Sequence, residues 1–209
     1  MKEKPNEWIA ISDLMAGVMA VVMLLLVISV VQKQEMARLA QLKDPRQQKL
    51  TQLLGELSTS LSQIAGKDMV TLDAAAKKII LRDGVFNRGS ACMATASQPA
   101  MENVRQKLAS FLHEIPDGRV YVEGHTDDRP VPRPVTDFST YCTVYDDNYT
   151  LSAARAREAR KRLASNLQEI DAKRIVVAGF GDSQPLAGIP HEDARQRRVE
   201  IRLVIPDGS

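Results

Sequence analysis

Asp13 is the only ionisable residue in a long apolar run, Ile9–Val31 (IAISDLMAGVMAVVMLLLVISVV). A carboxyl group at membrane depth costs about 2.5–3.5 kcal/mol on insertion scales. Such residues face a bundle interior or a wet path, and they mark ion or proton carriage. Far along the chain, Thr126 and Asp127 follow a strand-like segment, and Arg155 falls in the opening turns of a helix-like one. An aspartate can hold an ammonium group and an arginine can grip a carboxylate with two parallel hydrogen bonds. Placed at adjacent element ends, the pair makes a site for a zwitterion. Backbone N–H groups at the start of the helix add affinity for the anionic end.

The apolar run must present Asp13. At a rise of about 1.5 Å per residue it reaches roughly 34 Å, against a hydrocarbon core of about 30 Å, so a transmembrane helix is expected over residues 9–31. Trp8 is placed as an interface anchor. Asp13 lies about one turn in from it, which leaves open a second reading in which Ser12-Asp13 caps the helix at headgroup level. A cleaved signal peptide fits poorly, because the run is too long and no small-x-small site follows it. Lys2 and Lys4 precede the span, whereas Lys33, Arg38, Lys43, Arg46 and Lys49 follow it. Counted naively, the positive-inside tendency keeps the C-terminal side in the cytoplasm, but that count is reliable for short loops and a long segment follows here.

Residues 1–8 read as a leader, 32–67 as a linker or dimerisation helix, and 68–209 as a folded domain. Pro45 should end or kink any helix leaving the span. Leu50, Leu54, Leu57, Leu61 and Ile64 then recur at alternating spacings of four and three, a short seam for pairing with a copy of itself or for packing on its own domain. Strands are expected at Lys78–Leu81, Arg119–Glu123, Arg174–Ala178 and Arg198–Ile205, with a turn at Asp83-Gly84. Helices are expected at Pro99–Leu112 and Thr150–Leu167. With about four strands the fold class is α+β, a small sandwich. The stretch between Asp128 and Asn148 contains Pro130, Pro132 and Pro134 and lacks periodicity, so it reads as a long loop.

A chain of 209 residues accommodates one ordinary domain plus an anchor, and its net charge of +2 includes no basic stripe interleaved with aromatics, so nucleic-acid binding is not expected. Cys92 and Cys142 are too few and too far apart for a zinc site; they form a disulfide in an oxidising compartment or remain two thiols. His113, His125 and His191 lack metal-ligand spacing, and Ser152 has no nucleophile elbow around it, so neither a metal centre nor catalysis is expected. Asp128, Asp137, Asp146 and Asp147 could gather a calcium ion but lack a known ligand spacing.

Val122–Asp128 (VEGHTDD), Asn148–Ala156 (NYTLSAARA), Val177–Pro185 (VAGFGDSQP) and Arg197–Ile201 (RRVEI) together resemble the OmpA-like peptidoglycan-binding domain, in that family's order and spacing, over about residues 75–205. The resemblance implies that Asp127 and Arg155 bind the amine and carboxylate of diaminopimelate in the wall's stem peptide. It also implies support from Thr126, Asn148, Leu151 and Arg198. Trp8–Met15 (WIAISDLM), followed by AGVMAVVMLLL, looks like the membrane helix of MotB-type stator subunits, in which an early aspartate carries the permeant ion. The leader is shorter and less basic than in flagellar members, and the 128–148 loop is longer. The SDLM form and compact size look more like the ZorB subunits of the Zorya anti-phage system. These likenesses imply a single-pass inner-membrane protein with a cytoplasmic N-terminus and a periplasmic domain. They imply a homodimer inside a ring of polytopic MotA- or ZorA-like subunits, passing H⁺ or Na⁺ and needing no cofactor.

Overall fold

A computed structural model describes residues 7–41, 45–63 and 69–206. Ile64 and residues 1–6 of the expected leader lie outside the described residues. The chain divides into two units, Met1–Pro45 and Arg46–Ser209.

In the first unit, α1 (Glu7–Gln41) is one continuous helix. Its stretch Ile11–Gln34 is long and apolar enough to cross a membrane, by length and composition, and is not buried within the protein. The helix outruns the expected span by ten residues because the sequence after Val31 consists of strong helix formers (Gln, Lys, Glu, Met, Ala, Arg, Leu). Asp13 sits well inside the helix rather than before it, so Ser12-Asp13 is not the cap.

The boundary between the units falls at the start of α2 (Pro45–Ser62), whose proline stands at the first helical position, where its missing N–H costs nothing. Its leucines Leu50, Leu53, Leu54, Leu57 and Leu61 are buried in the core of this same unit. Of the two readings of the leucine seam, packing on its own domain is the one observed, and α2 belongs to the domain rather than to a linker. Burying each leucine is worth about 1.5–3 kcal/mol. The bordering pairs Lys49–Glu114 and Lys107–Glu56 are partly exposed and add little.

There follow β1 (Val70–Asp73), β2 (Lys78–Arg82), α3 (Gln98–Glu114), β3 (Arg119–His125), the single turn α4 (Phe138–Tyr141), α5 (Asn148–Leu163), the short α6 (Glu169–Ala172), β4 (Ile175–Gly179) and β5 (Arg198–Val204). The sheet order is β1-β2-β5-β3-β4, antiparallel throughout except for the β3–β4 pair, which α5 connects as a parallel crossover. The four expected strands are present, and β1 adds a fifth. Its four residues, VTLD, are too short to show alternation. Ile79 and Leu81, Val120 and Val122, and Val199, Ile201 and Leu203 alternate along their strands into the core, where they meet Val104, Leu108 and Phe111 of α3 and Ala156, Ala159 and Leu163 of α5.

The expected long loop is tightly held. Val135 and Tyr145 exchange backbone hydrogen bonds of 2.8 and 3.0 Å. Asp137 caps α4 and Asp147 caps α5, which engages two of the acids considered for calcium. Cys92 and Cys142 are joined as a disulfide across a sequence separation of 50. Ala91 N–H donates to Tyr141 O at 3.0 Å beside it, so the 87–92 turn and the loop form one frame. On a chain-entropy basis, closing a loop of this length is worth about 4 kcal/mol. Thermal denaturation of the full chain should therefore show a clearly lower Tm for Cys92→Ala/Cys142→Ala, or for wild type under reductant. An unchanged Tm would mean that the sulfurs are not joined.

Candidate functional site

The end of β3 and the start of α5 meet because Gly124 lets them. A Cβ at position 124 would lie 2.0 Å from the Ser152 carbonyl oxygen. The Ser152 hydroxyl accepts from Gly181 N–H at 3.0 Å, and Thr126 N–H donates to Gly181 O at 2.8 Å, so β3, α5 and the turn after β4 converge. The residues that continue β3, Thr126 and Asp127, therefore stand beside the first turns of α5.

At this junction opens a cleft of about 620 Å³. Arg155 lies at its floor, only 2% exposed. A buried guanidinium must be compensated. Here Nε donates to Ser90 O at 2.9 Å, Nη1 lies 3.5 Å from Asp83 Oδ1, and the Phe86 ring lies under the cation at 5.5 Å. Burial lowers the Arg155 pKa and the Asp83 charge opposes the shift. The group remains a cation, since arginine does not deprotonate in proteins. Arg197 bridges two acids, with Nη2 donating to Asp83 Oδ2 at 2.9 Å and Nη1 to Asp127 Oδ2 at 2.7 Å. Both contacts, Asp83 first, raise its pKa further. Two acids and two arginines thus form a neutral chain, Arg155–Asp83–Arg197–Asp127. Among the described residues, Asp127 Oδ1 and Arg155 Nη2 have no hydrogen-bond partner, so an acceptor for an ammonium and a donor for a carboxylate remain.

Thr126 lines the cleft, buried, with Oγ1 unpaired among the described residues. Leaving such a hydroxyl unpaired costs about 1–3 kcal/mol, a cost that a ligand atom there would remove. Asn148 Nδ2 donates to Asp127 O at 3.2 Å and Arg129 O at 3.0 Å, fixing the chain that carries the acid, and Leu151 supplies an apolar patch. Thr126, Asp127, Asn148, Leu151 and Arg155 are thus brought together. Arg198 is not, and that expectation is corrected. Its Nε donates to Glu200 Oε1 at 2.7 Å, and its other nitrogens donate to Gln196 O and Gln184 O. The side-chain period of two explains the difference. Val199 faces the core, so Arg198 shares the opposite face with Glu200, while Arg197, just before the strand, turns to the cleft. The same alternation was readable in RRVEI. Asp83 was missed because Asp83-Gly84 is fully explained as a turn. Asp13 belongs to the other unit and is described only by its place on α1.

Comparison with known proteins places residues 85–198, more than half of the chain, in the OmpA family. Among solved structures, the chain is similar to a putative MotB-like protein from Desulfovibrio vulgaris, with 21% identity, 78% of this chain and 98% of that one covered, and a TM-score of 0.55. It is also similar to the cell wall anchor of the T6SS from Pseudomonas aeruginosa, with 29% identity, coverage of 72% and 97%, and a TM-score of 0.51. No curated protein sequence matched the chain.

His125, between Gly124 and Thr126, stacks on Phe180 at 5.4 Å, and both of its ring nitrogens are buried without partners among the described residues. Burial first, then the Arg198 charge with a smaller push from Lys78, lowers its pKa from 6.5 to about 4, against Glu200. Below pH 6.5 the unfolded chain takes up a proton that the folded chain refuses. Stability from this group is therefore full above pH 6.5 and declines by up to about 1.4 kcal/mol per pH unit as the pH falls towards 4. Urea unfolding midpoints between pH 7.5 and 4.5 should fall less steeply for His125→Leu than for wild type. Equal slopes would show that His125 is protonated in the fold.

Proposed function

The chain belongs to the OmpA family, and from that premise we propose that it is the wall-anchored, ion-conducting B subunit of a MotA/MotB-like inner-membrane complex, of the ZorB kind found in Zorya anti-phage defence. The observation that carries the wall-binding half is the cleft, where Asp127 Oδ1 and Arg155 Nη2 remain available beside the unpaired Thr126 hydroxyl. The ligand is the zwitterionic end of diaminopimelate in a peptidoglycan stem peptide, its ammonium on Asp127 and its carboxylate on Arg155. The cell wall anchor and the MotB-like protein among the similar structures support this reading. The disulfide supports a periplasmic domain, hence a cytoplasmic N-terminus.

The ion-conducting half rests on Asp13, the lone carboxyl in the stretch Ile11–Gln34 of α1, which is apolar enough to span a membrane. Protonation removes its charge penalty, so the neutral form can face apolar surroundings that the ionised form cannot. Alternation between the two, with H⁺ or Na⁺ as the permeant ion, biases a surrounding polytopic MotA- or ZorA-like partner between arrangements. Two copies of this chain supply the two aspartates. The domain holds the unit still, which torque or signalling against the wall requires. OmpA- and MotB-like proteins act as structural anchors, and no catalytic step is assigned.

A second reading, a passive tether without ion flow, draws on the higher identity to the T6SS cell wall anchor. Position 13 separates the two. Asp13→Asn should assemble with its partner, bind wall as wild type does, and abolish biological activity; full activity would leave only the tether. Asp127→Ala and Arg155→Ala should each reduce co-sedimentation of the full chain with purified sacculi by about tenfold or more, as expected for loss of a charge-assisted contact. Mass spectrometry of what co-purifies in mild detergent should reveal a polytopic partner, and a long intracellular extension on it would favour defence over motility.

A further inference from the structure

The cleft extends beyond the inner ion-pair chain, and its outer part carries two more cations, Arg88 and Arg129. Neither has an ion-pair or hydrogen-bond partner for its side chain among the described residues, and both are exposed. Their backbones are nevertheless held. Arg129 O accepts from Asn148 Nδ2 at 3.0 Å. Arg88 sits on the 87–92 turn, where Gly89 O accepts from the Tyr145 hydroxyl at 2.5 Å and Ser90 O accepts from Arg155. The Cys92–Cys142 disulfide ties this turn to the long loop.

Each arginine is two residues from a component of the inner site. Arg129 follows Asp127, and Arg88 precedes Ser90, whose carbonyl holds Arg155. The inner chain is neutral and offers one free acceptor and one free donor, the complement of a zwitterion. The rim has one acid, Glu192, against these two arginines and is net positive.

We infer that Arg88 and Arg129 form an outer subsite for the glutamate α-carboxylate of the stem peptide, so that the domain selects stem peptides in which that group is free over those in which it is amidated. This rests on the wall-binding reading of the cleft. Guanidinium groups are suited to the task because they grip a planar carboxylate in fixed geometry. Because both are solvent-exposed, the gain is modest.

The test is isothermal titration of the full chain in detergent with two synthetic tripeptides. One is L-Ala-γ-D-Glu-meso-diaminopimelate; the other is the same peptide with the glutamate α-carboxylate amidated. Wild type should bind the free acid about fivefold to tenfold more tightly. In Arg88→Gln/Arg129→Gln that ratio should fall to about one, with Tm unchanged because both residues are exposed. Equal binding of the two peptides by wild type, or persistence of the ratio in the double variant, would overturn the outer subsite alone. Binding of neither peptide by wild type would overturn the wall-binding reading and this inference with it.

Discussion

The organisation of the cleft depends on one requirement: the Arg155 guanidinium is buried and must be neutralised where it lies. Two stretches distant in sequence, α5 and residues 83–92, meet that need. The start of α5 supplies the arginine, the segment after β2 supplies Asp83 and the Phe86 ring, and the 87–92 turn supplies the Ser90 carbonyl. Asp83 is shared, so Arg197 is drawn in, and through it Asp127 at the end of β3. Buried ion pairs are weak as sources of stability, because desolvation offsets most of the attraction, but removing one partner is costly because it leaves the other charge uncompensated. Here they bring the ends of β2 and β3, the approach to β5 and the first turns of α5 to one place.

The opposite face of the sheet solves a parallel problem differently. Glu123 of β3 lies directly across from Glu200 of β5, and two like charges so placed repel. Glu123 pairs with Arg202, which also covers the Tyr121 ring, and Glu200 takes Lys78 and Arg198. The Arg198–Glu200 pair, two residues apart along β5, explains why Arg198, though adjacent to Arg197 in sequence, has no part in the cleft.

The elements and most of the cleft were legible in the sequence because they rest on local rules. Alternation located four strands, 3.6-residue periodicity located α3 and α5, and a polar motif after a strand located Thr126 and Asp127. What escaped depends on distant partners. The leucines of α2 satisfied a self-pairing seam and a domain face equally well, since periodicity states that a face is buried but not what buries it. Asp83 had a complete local explanation as a turn residue, and only the folded chain reveals the two arginines that claim it. The 128–148 segment looked unstructured because its order comes from a disulfide, two caps and a bridge rather than from a repeating pattern.

The close approach at Gly124 also bears on how such a domain can change over generations. Any side chain there collides with the Ser152 carbonyl, and the packing of α5 against β3 fixes where Asp127 and Arg155 stand. Drift at the floor of the cleft is therefore closed off by sterics, not only by selection for a ligand. The rim is built on a turn and a loop whose side chains project into open space, so it can vary without disturbing the core. Lineages that adapt to differently decorated cell walls should diverge at positions such as 88 and 129 while keeping the same floor.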